Sequence, residues 1–218
     1  NEVNNFHLDL LRTEKVYSYK SHLPECVYLK QFPLQSGNSN FRSGFFSFQD
    51  ESSQLVSHIV SPKPGETILD GCLGPGGKFA HIYELSGGEA SLIGMDISEK
   101  QISRAKENLS RLGHDGRVKL ICQDFLEYDG SGVVIDKVLI DAPCSGLGVV
   151  RRRPEGKWLK DHNILQKFTK QQRSFLEKAY SLVKVGGEII YSVCSFEIEE
   201  TLEQLEWVKQ KYAGNIEI

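Results

Sequence analysis

The chain has 218 residues, and its 26 Lys and Arg against 29 Asp and Glu give a formal net charge of −3. This length predicts one domain, or one domain with a small appendage, and the 39% hydrophobic content excludes a disordered chain. No apolar run approaches the roughly 18 residues of a membrane span, and the first ten residues lack a secretory-signal pattern. We therefore expect a cytoplasmic protein without membrane association. Taken alone, the net acidity argues against a nucleic-acid partner.

Five cysteines are present, an odd number in a chain with no recognisable signal peptide. Reduced thiols are therefore expected rather than a disulfide framework. No cysteine or histidine spacing matches a zinc motif, so no metal site is predicted.

The N-terminal part, residues 1–46, is predicted to be irregular, because it contains Pro24, Pro33 and the turn-rich run at 35–40. It is interpreted as a partial small module and linker, with a second domain at 47–218. Residues 47–60 are expected to form a helix capped by Asp50. Its expected apolar face comprises Leu55, Val56, Ile59 and Val60.

Strands and helices then alternate along the chain. The expected strands are residues 67–70, 90–97, 118–122, 137–140 and 188–193. Helices are expected to about residue 85, from the capping box of Ser98 and Gln101 to Leu112, over 161–183 and over 199–212. Repeated strand–helix units predict an α/β fold with a mostly parallel sheet and helices on both faces.

A glycine-rich loop follows the first of these strands, at residues 71–78, and leads into a helix. Its glycines let the backbone approach a ligand, and the helix N-terminus favours a carboxylate or phosphate. The loop matches neither the G-x-G-x-x-G nor the P-loop pattern. Asp96 and Asp124 end the next two strands, where carboxylates could meet a ribose and an adenine edge. These features indicate a nucleoside-bearing cofactor, either a dinucleotide or S-adenosylmethionine.

Two cysteine motifs follow the last two strands, DAPCSG at 141–146 and SVCS at 192–195. Cys144 and Cys194 are therefore expected to face one cleft. Cys194 precedes a helix start, which favours a lowered thiol pKa. Cys26 and Cys122 are interpreted as small buried apolar residues.

These motifs, together with FFSFQDESSQ at 45–54 and RRRPEGKW at 151–158, resemble the Sun (Fmu) family of RNA 5-methylcytosine methyltransferases. The resemblance covers 44–207, about three quarters of the chain. It implies a Rossmann-like, S-adenosylmethionine-dependent enzyme that methylates carbon 5 of cytosine in RNA through a covalent cysteine adduct. Ribosomal RNA is favoured over transfer RNA, and a monomer is expected.

The resemblance also implies residue roles. Cys194 would be the nucleophile, Cys144 would assist its release, and Asp141 would contact the cytosine ring. Asp96 would bind the ribose and Asp124 would lie beside adenine. The full implied cofactor set is Cys72, Leu73, Gly74, Pro75, Gly76, Gly77, Lys78, Asp96, Asp124 and Asp141.

A basic segment follows the DAPCSG motif. Between Leu147 and Lys178 there are nine basic and three acidic residues, which gives a local charge of +6 that the net charge conceals. Arginines here could orient RNA by contacting its phosphates. The expected RNA-binding residues are Arg151, Arg152, Arg153 and Lys157.

The sequence departs from the family pattern at several positions. Leu73-Gly74 replaces Ala-Ala, Gly71 replaces a larger apolar residue, and Gln101 replaces a basic residue. The chain is also short at both ends, so we expect a fragment or a reduced member. Three alternatives remain: a DNA cytosine methyltransferase that attacks through Cys144, a nicotinamide oxidoreductase, and an inactive RNA-binding paralogue or scaffold.

Overall fold

The computed structural model describes residues 17–20, 22–30, 39–114, 116–130, 132–151, 154 and 162–218. Near the N-terminus, β1 (Tyr17–Lys20) pairs antiparallel with β2 (Val27–Lys30), and a short helix α1 follows at Ser39–Arg42. The expectation that 1–46 is irregular is therefore wrong for these three elements. Tyrosine and valine favour strands, and pairing stabilises runs that are too short to stand out in the sequence.

The main sheet has five parallel strands in the order β5-β4-β3-β6-β7. The strands are β3 (Thr67–Asp70), β4 (Ser91–Asp96), β5 (Val118–Cys122), β6 (Ile135–Asp141) and β7 (Val183–Ser192). The predicted parallel α/β sheet is thus confirmed. From the central strand β3 the chain runs outward to β5 and then returns to β6 on the other side. Ligands of such sheets bind at this reversal, beyond the carboxyl ends of the strands.

The longer helices lie close to their predicted positions. They are α2 (Glu51–Val60), α3 (Gly77–Leu85), α4 (Glu99–Leu112), α5 (His162–Leu182) and α6 (Leu202–Lys211). Short 3₁₀ turns occupy Phe125–Glu127, Leu147–Val149 and Ile198–Glu200. Within the described residues, no helix has the length and apolar character needed to cross a bilayer.

Helices cover both faces of the sheet. One core joins side chains of α2, α3 and α4, such as Val60 and Phe79, to Ile68 of β3 and its neighbours. The opposite core joins Phe175 and Ala179 of α5 to strands β3, β4 and β6. This two-sided burial explains why the strands read as nearly continuous apolar runs.

Four local expectations need correction. Cys122, which was expected to be buried, is exposed, whereas Cys26 is buried as expected. Helix α2 begins at Glu51 rather than at residue 47, and its Leu55 and Ile59 are 50% and 59% exposed, so the predicted apolar face is only half buried. Ser98 is the N-cap of α4, but its side chain makes no capping hydrogen bond. Its backbone N–H instead donates to Oδ1 of Asp96 at 2.8 Å. Strand β7 begins at Val183, directly after α5 and five residues earlier than predicted.

Candidate active site

The predicted site residues lie along the carboxyl edge of the sheet. Asp70, Asp96 and Asp141 are the last residues of β3, β4 and β6. Asp124 follows β5 by two residues, and Cys194 follows β7 by two residues. Because all five strands are parallel, these groups gather at one edge, where such folds bind their ligands.

The glycine-rich loop is fixed to β4 by backbone hydrogen bonds. The Leu73 N–H donates to the Met95 carbonyl at 2.8 Å, and the Gly74 N–H donates to Oδ2 of Asp96 at 2.9 Å. Gly76, with φ of 77°, takes the left-handed conformation that glycine adopts most readily, and it caps α3. Helix α3 therefore begins directly at the end of the loop, and a helix N-terminus is a favourable position for an anionic ligand group.

Two departures from the family pattern are explained by packing. Leu73 is only 5% exposed, and a Cβ on Gly94 of β4 would lie 2.8 Å from its Cδ1 atom. Leu73 therefore packs against the bare backbone of Gly94. Likewise, a Cβ on Gly71 would lie 2.9 Å from side-chain atoms of Phe125 and Ile140, which fill that space.

The acids at the strand ends differ in their environments. Asp96 accepts one backbone N–H on each carboxylate oxygen, as described above, and remains half-buried. Asp124 accepts the Leu126 N–H at 2.9 Å and so caps the short turn after β5. Asp70 is 2% exposed, and this burial raises its pKa to about 7. Oδ1 of Asp70 accepts the Cys72 N–H at 3.1 Å and so stabilises the start of the glycine-rich loop.

Lys78 joins the glycine-rich loop to the DAPCSG motif. Its Nζ lies 2.6 Å from Oδ2 of Asp141, and both side chains are largely buried, with 18% and 31% exposed. The pair holds a positive and a negative charge beside the cysteine motifs. Partial burial makes this interaction stronger than a surface salt bridge of the same length.

The two predicted thiols are brought together. The Sγ atoms of Cys144 and Cys194 lie 3.1 Å apart, and both cysteines are free. A hydrogen bond from Cys144 lowers the pKa of Cys194 to about 7, and the same bond, together with burial, raises the pKa of Cys144. The Gly148 N–H donates to the Cys194 carbonyl at 3.0 Å and ties the two turns together. The geometry supports a reactive thiolate at Cys194.

A buried carboxylate that the sequence analysis missed lies behind the cysteines. Glu200 is 0% exposed, and Oε1 accepts the Ser145 N–H at 2.8 Å and Nε2 of Gln172 at 3.0 Å. Oε2 accepts the Ser145 hydroxyl at 2.5 Å, and the Ser195 hydroxyl lies 3.0 Å from that of Ser145. Glu200 thus links the residues that follow Cys144 and Cys194. In the sequence, Glu200 is one of several glutamates in a short segment, so nothing indicated that it is buried. Its partners Ser145 and Ser195, by contrast, belong to the cysteine motifs.

The basic segment is described only in part. Arg151 is exposed, and so are Lys167 and Lys170 on α5. The other predicted RNA contacts, Arg152, Arg153 and Lys157, lie outside the described residues.

A parallel sheet with this loop and these strand-end acids defines a Rossmann-like methyltransferase fold. Residues 57–215 match the family model described as 16S rRNA methyltransferase RsmB/F. The chain therefore belongs to this family, the Sun family of S-adenosylmethionine-dependent RNA methyltransferases, as the sequence motifs indicated.

Individual relatives agree with this assignment. The chain is 33% identical over 200 residues to the ribosomal RNA small subunit methyltransferase B of Proteus mirabilis, which covers 91% of this chain and 47% of the relative. The crystal structure of NSun6 from Pyrococcus horikoshii with SFG, an S-adenosylmethionine analogue, is 29% identical with a TM-score of 0.76, covering 85% of this chain and 48% of that one. A methyltransferase homologue from Pyrococcus horikoshii is 27% identical with a TM-score of 0.81, covering 94% and 65%. The chain spans less than half the length of the curated relatives it matches.

Proposed function

We propose that the chain transfers a methyl group to carbon 5 of cytosine in RNA, with ribosomal RNA as the favoured substrate. The observation that carries this proposal is the 3.1 Å contact between the thiols of Cys144 and Cys194 beside the Lys78–Asp141 pair. Family membership supports methyl transfer to ribosomal RNA, and the paired thiols support the choice of cytosine carbon 5. A carbon at this position needs covalent activation before it can accept a methyl group.

The cofactor would be S-adenosylmethionine, which supplies an electrophilic methyl group when bound. Its proposed ligands are the loop from Cys72 to Lys78 and the acids Asp96, Asp124 and Asp141. The residues present fit this role, because backbone N–H groups suit its carboxylate and acids suit its ribose and adenine. Two buried polar atoms, Oε1 of Gln101 and Nε2 of Gln49, have no partner among the described residues. Such atoms would be available to hydrogen-bond a bound cofactor. Nε2 of Gln49 lies 4.0 Å from a Cβ built on Gly77 of the loop.

Cys194 would act as the nucleophile. Its thiolate adds to carbon 6 of the cytosine, and the electron pair moved to carbon 5 then attacks the methyl group. Asp141, held by Lys78, lies at the same site and would contact the ring at nitrogen 3, where charge develops. As the methyl group is transferred, its bond to the cofactor sulfur breaks and the electron pair stays on that sulfur. The proton on carbon 5 then passes to solvent, the double bond between carbons 5 and 6 re-forms, and the bond from Cys194 to carbon 6 breaks with its electron pair returning to Sγ. The Cys144 thiol, whose Sγ lies 3.1 Å from Sγ of Cys194, would assist this release.

RNA would approach over the DAPCSG turn. Arg151 is exposed where the basic segment begins, and the local charge of +6 favours phosphate contacts. We assign Arg152, Arg153 and Lys157 to the same surface. We also divide the chain into a partial RNA-binding module at 1–46 and a catalytic domain at 47–218.

The test uses the chain with methyl-labelled S-adenosylmethionine and a small-subunit ribosomal RNA transcript. The RNA is digested to nucleosides, and label is expected in 5-methylcytidine. Calorimetric titration with S-adenosylmethionine provides a separate readout of binding. A folded chain that binds no cofactor would instead indicate an inactive paralogue, and label on another atom would overturn the choice of carbon 5.

A further inference from the structure

Three side chains distant in sequence converge outside the candidate active site. Glu25 precedes β2, His58 lies on α2 and His81 lies on α3. Nε2 of His58 lies 2.5 Å from Oε1 of Glu25, and Nε2 of His81 lies 3.1 Å from the same oxygen. The three potential ligand atoms all lie within 4.8 Å of one another. His81 is buried, whereas Glu25 and His58 are half-buried and leave a path from solvent.

We propose that Glu25, His58 and His81 bind a divalent zinc ion. Two imidazole nitrogens and one carboxylate oxygen form a set that Zn²⁺ takes in proteins, with water as the fourth ligand. Mg²⁺ and Ca²⁺ prefer sets made only of oxygen atoms. Ligand atoms around tetrahedral zinc lie about 3.4 Å apart when the bonds are about 2.1 Å long. The 3.1 Å contact of His81 is close to this value, and the contact of His58 needs to open by less than 1 Å.

The protonation states of the cluster suit a metal. Zinc ligands must be neutral histidines and an ionised carboxylate. Burial lowers the pKa of His81 and so favours the neutral ring. Burial opposes ionisation of Glu25, but hydrogen bonds from the His58 ring and from the backbone help to bring the Glu25 pKa below its usual value.

The cluster lies where the residues before β2 meet helices α2 and α3. Nearby, Nε2 of Gln54 on α2 lies 3.3 Å from Sγ of Cys26, and the Tyr28 hydroxyl donates to Glu51. A zinc ion would strengthen the contact between the N-terminal segment and the two helices, because it would join the residues before β2 to both α2 and α3. Ligands separated by 33 and 23 residues give no motif spacing, which is why the sequence analysis predicted no metal.

The experiment measures zinc retained by the chain after equilibration with ZnCl₂ and gel filtration. We expect one equivalent per chain in the wild type and a rise in Tm on zinc addition. His58→Gln and Glu25→Gln should lose this zinc, whereas His114→Gln, a half-buried histidine outside the cluster, should keep it. A Cys144→Ala/Cys194→Ala variant should also keep it.

A second measurement requires no variant at the cluster. Wild-type chain loaded with Co²⁺ should give visible d–d absorption without the charge-transfer band of a thiolate ligand. No retained metal would overturn the proposal, and the cluster would then be a hydrogen-bonded ion pair. A strong thiolate band, or zinc lost only from the cysteine variant, would equally overturn it by assigning the metal to the thiols.

Discussion

Sγ of Cys144 lies 3.1 Å from Sγ of Cys194, so the two thiols share a single hydrogen bond. Because the bond favours the thiolate of Cys194 and the protonated form of Cys144, their pKa values move in opposite directions. The proposed nucleophile and its proposed partner are therefore distinguished by their environment, although both are cysteines that follow strands.

The first prediction concerns the pH dependence of Cys194. Its pKa of about 7 makes alkylation by iodoacetamide rise through neutral pH in the wild type. Cys144→Ala removes the hydrogen bond and should move this profile upward by roughly one pH unit or more, toward the ordinary cysteine pKa of about 8.5. Peptide-level mass spectrometry of the Cys194 peptide gives the rate at each pH. Cys144→Ser retains a donor and should shift the profile less; equal profiles for all three proteins would contradict the assigned hydrogen bond.

The second prediction uses the charges beside Cys194. Lys78 lowers the Cys194 pKa and Asp141 raises it. Lys78→Met should therefore shift the alkylation profile to higher pH, and Asp141→Asn should shift it to lower pH. Shifts of opposite sign cannot result from general loosening of the site. If both variants shift in the same direction, the Lys78–Asp141 pair does not act on the thiol through its charge.

The third prediction concerns the covalent adduct. With S-adenosylmethionine and RNA, Cys144→Ala should accumulate an RNA–protein adduct on a denaturing gel, because release of Cys194 is slowed. Cys194→Ala should form none, because it lacks the nucleophile. The reverse pattern would indicate attack by Cys144, as in the DNA methyltransferase alternative.

The fourth prediction concerns Glu200. Glu200→Ala removes the acceptor of the Ser145 and Gln172 donors in a fully buried position. Unsatisfied buried donors should lower the free energy of unfolding by about 1–3 kcal/mol, measured in urea. Glu203→Gln, an exposed glutamate on α6, serves as the control and should change it by less than about 0.5 kcal/mol.

The acid dependence of stability gives a second readout for Glu200. Burial opposes its charge, but hydrogen bonds from Ser145, Ser195 and Gln172 hold the Glu200 pKa below its usual value. The native state therefore binds this proton less readily than the unfolded chain, and its stabilisation is lost as pH falls below about 4.3. Glu200→Gln should lose less stability than the wild type over that range. An unchanged acid dependence would exclude a charged Glu200 in the native state.

The fold was largely predictable from the sequence. Apolar runs such as Thr67–Asp70 and Ser91–Asp96 are bounded by turns, and α4 ends at Gly113 as expected. The β1–β2 hairpin was not predictable, because four-residue strands become stable only through pairing. Leu55 and Ile59 fit a helical apolar face, yet the core contacts only the side of α2 that carries Val56 and Val60.

The positions of the candidate site residues were predictable where each group ends a strand, as Asp96 does, or lies in the turn after one, as Cys144 does. The sequence did not indicate that Lys78 pairs with Asp141, because 63 residues separate them. Glu200 was hidden for a different reason. Its burial depends on the packing of the Ile198–Glu200 turn against Gln172 of α5, and no local pattern reports such a contact.

The packing of Leu73 on Gly94 makes the side-chain volumes at these two positions interdependent. A loop from a relative with alanine at position 73 would leave a void over Gly94, and a side chain at 94 would collide with Leu73. Substitutions at the two sites are therefore expected to be coupled, so that Leu73→Ala together with Gly94→Ala should destabilise the chain less than the sum of the two single changes. Chimeras that exchange the cofactor loop between family members will need to carry the middle of the neighbouring strand with it.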